Sequence, residues 1–149
     1  MVLLNFEYYL SKGLVKKRRK DTDLASSLVN SSRDRMKFSK EIMKSRPRYA
    51  LEMAYESVIE LIEALLALEG LKSWSHEANI VFLLKVGFIE TDIARLDLSR
   101  RKRHSSKYYG ISFTPEEAKE EIEYLGRVFN RILSKIKTER RKRNSQTSQ

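Results

Sequence analysis

Leu51, Ala54, Val58, Leu61 or Ile62, Leu65 and Leu68 recur at three- and four-residue spacing, the stripe of a helix that turns one face to a core. They predict a helix from about Pro47 to Glu69, the strongest periodic signal in the chain. A second stripe, Ala118, Ile122, Leu125, Phe129, Ile132 or Leu133 and Ile136, predicts a last helix packed along the first. Gly13, Gly70, Gly87 and Gly110 each follow a helix-like stretch, and Pro47 and Pro115 stand where helices begin, the expected asymmetry of stops and starts. Gly126 alone falls inside an element.

The remaining helices are read from their ends. A short one near residues 2 to 12 leads into a basic loop, Lys16 to Lys20, and Asp21 or Asp23 then caps a long helix to about Ser45. Ser73 or Ser75 caps a short helix that carries Ile80, Phe82 and Leu83 and stops at Gly87. A fifth helix runs from about Glu90 into a basic segment, and Thr114-Pro115-Glu116-Glu117 reads as a capping box. From about Thr138 the apolar period is lost. The expectation is an all-α, up-and-down bundle of four main helices with short additions, one domain over residues 1–138, then a basic, polar, disordered tail over 139–149. No strand alternation, internal repeat or second domain is visible.

Composition narrows the chemistry. With 149 residues, 41% of them hydrophobic, the chain fills one modest core. It has no cysteine and two histidines, which excludes a disulfide framework and thiolate metal sites and argues against a histidine-built zinc site, so no metal or cofactor is expected. The first residues lack the basic flank and long apolar region of a signal peptide, and no apolar run reaches membrane-spanning length, so a cytoplasmic protein with no membrane partner is expected. A net charge of +10 and a pI near 9.8 favour anionic partners, chiefly nucleic acid, against the alternative of merely solvated lysines. Phosphate-binding glycine loops, HExxH patterns and nucleophile elbows are absent. A helix-turn-helix at Gly87 ranks low, because the junction is apolar and the following helix carries its cations late.

The densest chemistry lies between Arg100 and Gly110, where five cations, His104, Tyr108 and Tyr109 occur with no acidic residue. Arginine matches phosphate oxygens with a planar fork, histidine carries a proton near neutral pH, and tyrosine supplies a stacking face. At about 100° per residue, Arg100, Arg103, His104 and Lys107 continue the apolar side defined by Ile93 and Leu96, while Arg95, Arg101 and Lys102 point outward as ordinary solvated charges. Inward cations need carboxylates, phosphates or water. Glu52, Glu56, Glu60, Glu63 and Glu69 offer an internal Arg–Glu network as one reading, and an open phosphate cleft is the other. Arg100, Arg103, His104, Lys107, Tyr108 and Tyr109 are thus the nucleic-acid-binding candidates. His76 is read as a cap or core histidine, Trp74 and Phe82 as packing residues, and the basic loop and tail as solvated charge able to add non-specific phosphate contacts.

The stretches Ala50 to Val58, Glu63 to Gly70, Ser75-His76-Glu77-Ala78 and Arg100 to Gly110, with the start Tyr8 to Val15, resemble HEPN domains, most closely archaeal-type members, over about residues 1 to 138. The resemblance implies an all-helical homodimer associated with RNA or nucleotides, of toxin–antitoxin or defence type, often with a nucleotidyltransferase as partner protein. Many such domains are metal-independent ribonucleases whose signature is an arginine, usually followed by asparagine, with a histidine four to six positions beyond the arginine. Here Arg103 takes the arginine position, His104 falls where asparagine is usual, and Tyr108 stands where the histidine is expected. Arg103 and His104 are therefore the catalytic candidates, and the segment is better suited to binding than to cutting, because tyrosine is a poor general base near neutral pH.

Overall fold

The computed structural model describes residues 3–110 and 112–147, with backbone alone at residues 108, 109, 146 and 147. Its elements in chain order are α1 (Phe6–Ser11), β1 (Val15–Lys17), α2 (Thr22–Ile42), α3 (Pro47–Glu69), β2 (Leu71–Ser73), α4 (His76–Phe82), a 3-10 turn (Leu83–Val86), α5 (Glu90–Tyr109) and α6 (Pro115–Thr147).

The stripe that opened the sequence reading understates α3. From Ala50 to Leu68 every apolar side chain but Met53 is buried, so α3 is apolar except along the side that bears Glu52, Glu56, Glu60 and Glu63, and its neighbours must enclose the rest. It packs most extensively against α2 and then α6, with α4, α5 and β2 closing the remaining sides. The α6 stripe faces it as expected, Ile132 being buried and Leu133 half-buried. On α2 the buried Ala25, Ser32 and Ser39 are small, and Ser57 Oγ donates to the Ser32 carbonyl at 2.7 Å, a bond that short side chains allow across two closely packed helices.

The caps resolve the alternatives that the sequence left open. Asp21 accepts from the Leu24 amide at 2.9 Å and Ser75 from the Ala78 amide at 3.1 Å. Thr114 and Glu117 form the reciprocal box at the start of α6, with bonds of 3.1 and 3.4 Å.

Two expectations change. The loop after α1 contains a strand, because β1 pairs antiparallel with β2, and three-residue strands are too short to show an alternating pattern. The structure is therefore mostly helical with one small ribbon. The second change is at the tail, where helix α6 continues from Thr138 to Thr147. Arg143 donates to the Leu68 carbonyl and lies 3.7 Å from Glu69, while Arg140 donates to Ser26 Oγ at 3.1 Å. Arg143 therefore meets an orphan acceptor and the negative dipole pole at the carbonyl end of α3. Polar docking thus replaces the missing apolar period. No helix among the described residues is long and apolar enough to cross a membrane.

Candidate functional site

Three helices contribute one row each to a cleft of about 670 Å³. Arg35, Phe38 and Ile42 come from α2; Tyr49, Glu52, Met53 and Glu56 from α3; Arg103 and Lys107 from α5; Arg46 closes the end before α3. Most spacings within the rows are three, four or seven residues, with Glu52 and Met53 adjacent, so each row stays near one helical face. Four cations and two carboxylates line the cleft. Phe38 and Tyr49 are 44% and 56% exposed, so two aromatic faces stand open beside the cations.

Arg103 is the best-placed cation. Its Nη2 donates to Glu56 Oε1 at 2.6 Å, and its guanidinium carbon lies 5.6 Å from the centre of the buried Tyr55 ring. Its Nε is buried with no hydrogen-bond partner among the described residues, so Glu56 engages one corner of the fork and not its two-point edge. Across the cleft Arg35 pairs with Glu60 at 2.8 Å. Both alternatives foreseen from the sequence therefore coexist, an Arg–Glu network at the wall of an open groove.

The inward set divides. Arg100 turns away from the cleft, bonding Asp97 at 2.7 Å and approaching Glu77 at 3.7 Å. Glu77 also accepts from Tyr9 Oη at 3.5 Å, so Arg100 belongs to an internal polar network. His104 is exposed and does not line the cleft. One residue, or about 100°, separates it from Arg103 on the helix, and the groove opens on the Arg103–Lys107 edge. The side chains of Tyr108 and Tyr109 lie outside the described residues.

The outward set also needs correction. Arg95 and Lys102, expected to be solvated, converge on Glu121, which is 4% exposed. Arg95 donates to both carboxylate oxygens at 3.0 and 2.8 Å, and Lys102 donates at 3.1 Å. Ser99 Oγ donates to the same carboxylate. Burial pushes the Glu121 carboxyl up, but the hydrogen bonds from Arg95, Ser99 and Lys102 outweigh it and hold the group below its usual range. Only Arg101 behaves as a largely exposed cation, 3.4 Å from Asp97.

His76 contributes more than its sequence reading suggests. Its Nδ1 lies 3.1 Å from Tyr55 Oη, which ties it to the ring under Arg103. Burial pushes the imidazole below its ordinary range; Glu56 opposes this, and Arg103, Arg100 and Lys107 reinforce it. The neutral form is therefore favoured. The sequence signal for this contact is the Ser75-His76 helix start, but nothing in the spacing connects it to Tyr55. Neither family models, curated proteins nor solved structures returned a match to the chain.

Proposed function

We propose that this protein is a HEPN-like RNA- or nucleotide-binding module, dimeric and of toxin–antitoxin or defence type, with the cleft between α2, α3 and α5 as its phosphate and base site. The observation that carries the reading is the placement of Arg103 and Lys107 beside the exposed rings of Phe38 and Tyr49. Cations recruit phosphate and open aromatic faces accept bases, the two elements of single-strand recognition. The excess of positive charge across the chain supports the same ligand class.

The test is binding of a labelled RNA at low salt, followed by anisotropy. Affinity is expected to fall steeply as salt is added, and Arg103→Glu with Lys107→Glu is expected to weaken binding. Absence of RNA or nucleotide binding at low salt would overturn the reading and leave a protein partner, such as a nucleotidyltransferase, as the ligand of the basic face. Sedimentation of the purified chain tests the dimer.

Metal-independent RNA cleavage is a second reading, favoured by the contact of both Arg103 and His76 with Tyr55. In this reading solvent takes the proton of a ribose 2'-hydroxyl while that oxygen attacks the adjacent phosphorus, and His76, which does not line the cleft, positions Tyr55 beneath Arg103. The bond from phosphorus to the 5'-oxygen breaks, that oxygen takes up a proton from water, and Arg103 stabilises the charge that develops on the phosphoryl oxygens. Cleavage in EDTA that is lost in both Arg103→Ala and His76→Ala supports it. Cleavage that survives either change, or no cleavage at all, rejects it.

A further inference from the structure

Trp74 carries three cations around an exposed ring. The indole is 54% exposed, with Lys16 Nζ, the Arg18 guanidinium carbon and Lys72 Nζ at 5.8, 5.4 and 6.0 Å from its centre. The strand period explains the gathering. Side chains alternate along a strand, so Val15 and Ser73 turn inward and are buried, while Lys16, Arg18, Lys72 and Trp74 share the outer face. Lys16 and Lys72 are direct cross-strand partners, a like-charge pairing that destabilises a sheet.

Neutralisation within the chain is slight. None of the three cations forms an ion pair within 4.0 Å among the described residues. The carboxylate facing Lys72 is the half-buried Glu63, which burial pushes toward its protonated form. The platform is also held rigid. The Arg18 amide donates to the Gly70 carbonyl and the Trp74 amide to the Leu14 carbonyl, each at 2.8 Å, so hydrogen bonds extend the ladder at both ends.

A flat π-face ringed by cations suits a polymer that alternates flat bases with phosphates. Single strands expose base faces, whereas a duplex buries them. We propose that the ribbon face of Lys16, Arg18, Lys72 and Trp74 is a binding site for single-stranded nucleic acid, with a base stacked on Trp74 and neighbouring phosphates held by the three cations. The site shares no residue with the α2–α3–α5 cleft and stands on its own observations.

Trp74 is the single tryptophan of the chain, so its emission reports this site alone. The experiment titrates the full chain with oligouridylate and with oligodeoxythymidylate at low salt, reading tryptophan emission and the anisotropy of labelled oligomer together. Quenching by either oligomer is expected, and the two arms separate ribose from deoxyribose strands. Trp74→Leu should weaken oligomer binding by roughly tenfold, the size of one lost base stack, while leaving heparin binding intact. Lys16→Glu with Lys72→Glu should lower the salt dependence by about two phosphate contacts.

Emission that stays constant while anisotropy saturates would overturn the proposal, as would Trp74→Leu binding both oligomers as tightly as the parent. Arg103→Glu with Lys107→Glu separates the two sites. Quenching retained in that variant at unchanged affinity supports the ribbon even if the cleft reading fails. Quenching lost there but retained in Lys16→Glu with Lys72→Glu rejects the ribbon while sparing the cleft.

Discussion

Glu56 and Arg103 join α3 to α5 through one hydrogen bond of 2.6 Å at the wall of the cleft. Glu56 holds the arginine where a phosphate can reach it and competes with that phosphate for the same donors. Glu56→Gln keeps the shape and removes the competition. Its RNA affinity at low salt is expected to rise roughly 3–10-fold, with a stability loss of about 1 kcal/mol because both groups are partly solvated. Anisotropy titrations and urea unfolding check the two effects, and a fall in affinity would count against the cleft as a phosphate site.

Glu121 is the buried carboxylate on which Arg95, Lys102 and Ser99 converge. Glu121→Gln removes the charge while leaving the cations, which can partly rehydrate at their exposed edges. A loss of about 1–3 kcal/mol in unfolding free energy is expected. Arg101→Ala, which removes a largely exposed cation on the same helix, should cost less than about 0.5 kcal/mol. Equal losses in the two variants would show that the Glu121 cluster contributes nothing special.

Acidification should destabilise the protein in two stages. His76 has a folded pKa below its ordinary value of 6.5, so its contribution is present above that value and is lost as pH falls through the folded one. Glu121 is likewise lowered from 4.5, so its contribution is present above that pH and disappears as pH falls through its folded value. Urea midpoints measured from pH 8 to pH 3 should show both declines, and His76→Gln should abolish the upper one. An unchanged upper decline in His76→Gln would assign it to another group.

Gly70 and Gly110 both end helices in the left-handed region, at φ +73° and +66°, but their surroundings differ. A Cβ on Gly70 would sit 2.8 Å from the Arg18 carbonyl oxygen, whereas one on Gly110 meets nothing within 4 Å among the described residues. Gly110→Ala should cost about 1 kcal/mol, the conformational penalty alone. Gly70→Ala should cost about 2–4 kcal/mol, because the ribbon backbone must also move. Thermal unfolding compares them, and equal costs would mean that the ribbon yields freely.

Much of the helical architecture was legible because its signals are local. The α3 stripe, the Gly and Pro boundaries and the Thr114–Glu117 box depend on residues a few positions apart, and all appear where expected. The ribbon was not legible, since β1 offers one buried residue and finds its partner more than fifty positions away. Trp74, expected to pack, is exposed for the same reason, as its outward direction follows from a pairing that no local pattern announces. The helical tail depends on Arg143 reaching the end of α3, another contact between distant segments.

The basic run between Arg100 and Gly110 was visible as a concentration of charge, and its helical register ordered the cations around one axis. Only the tertiary structure decided which of them meets a carboxylate. Arg100, already paired with Asp97 on its own helix, found Glu77; Arg103 found Glu56; Lys102, joined by Arg95 from earlier on α5, found Glu121; and His104 is exposed. A sequence determines the angle of a side chain about its own helix. Its burial, its partner and its freedom to meet a phosphate depend on what another segment brings to that angle.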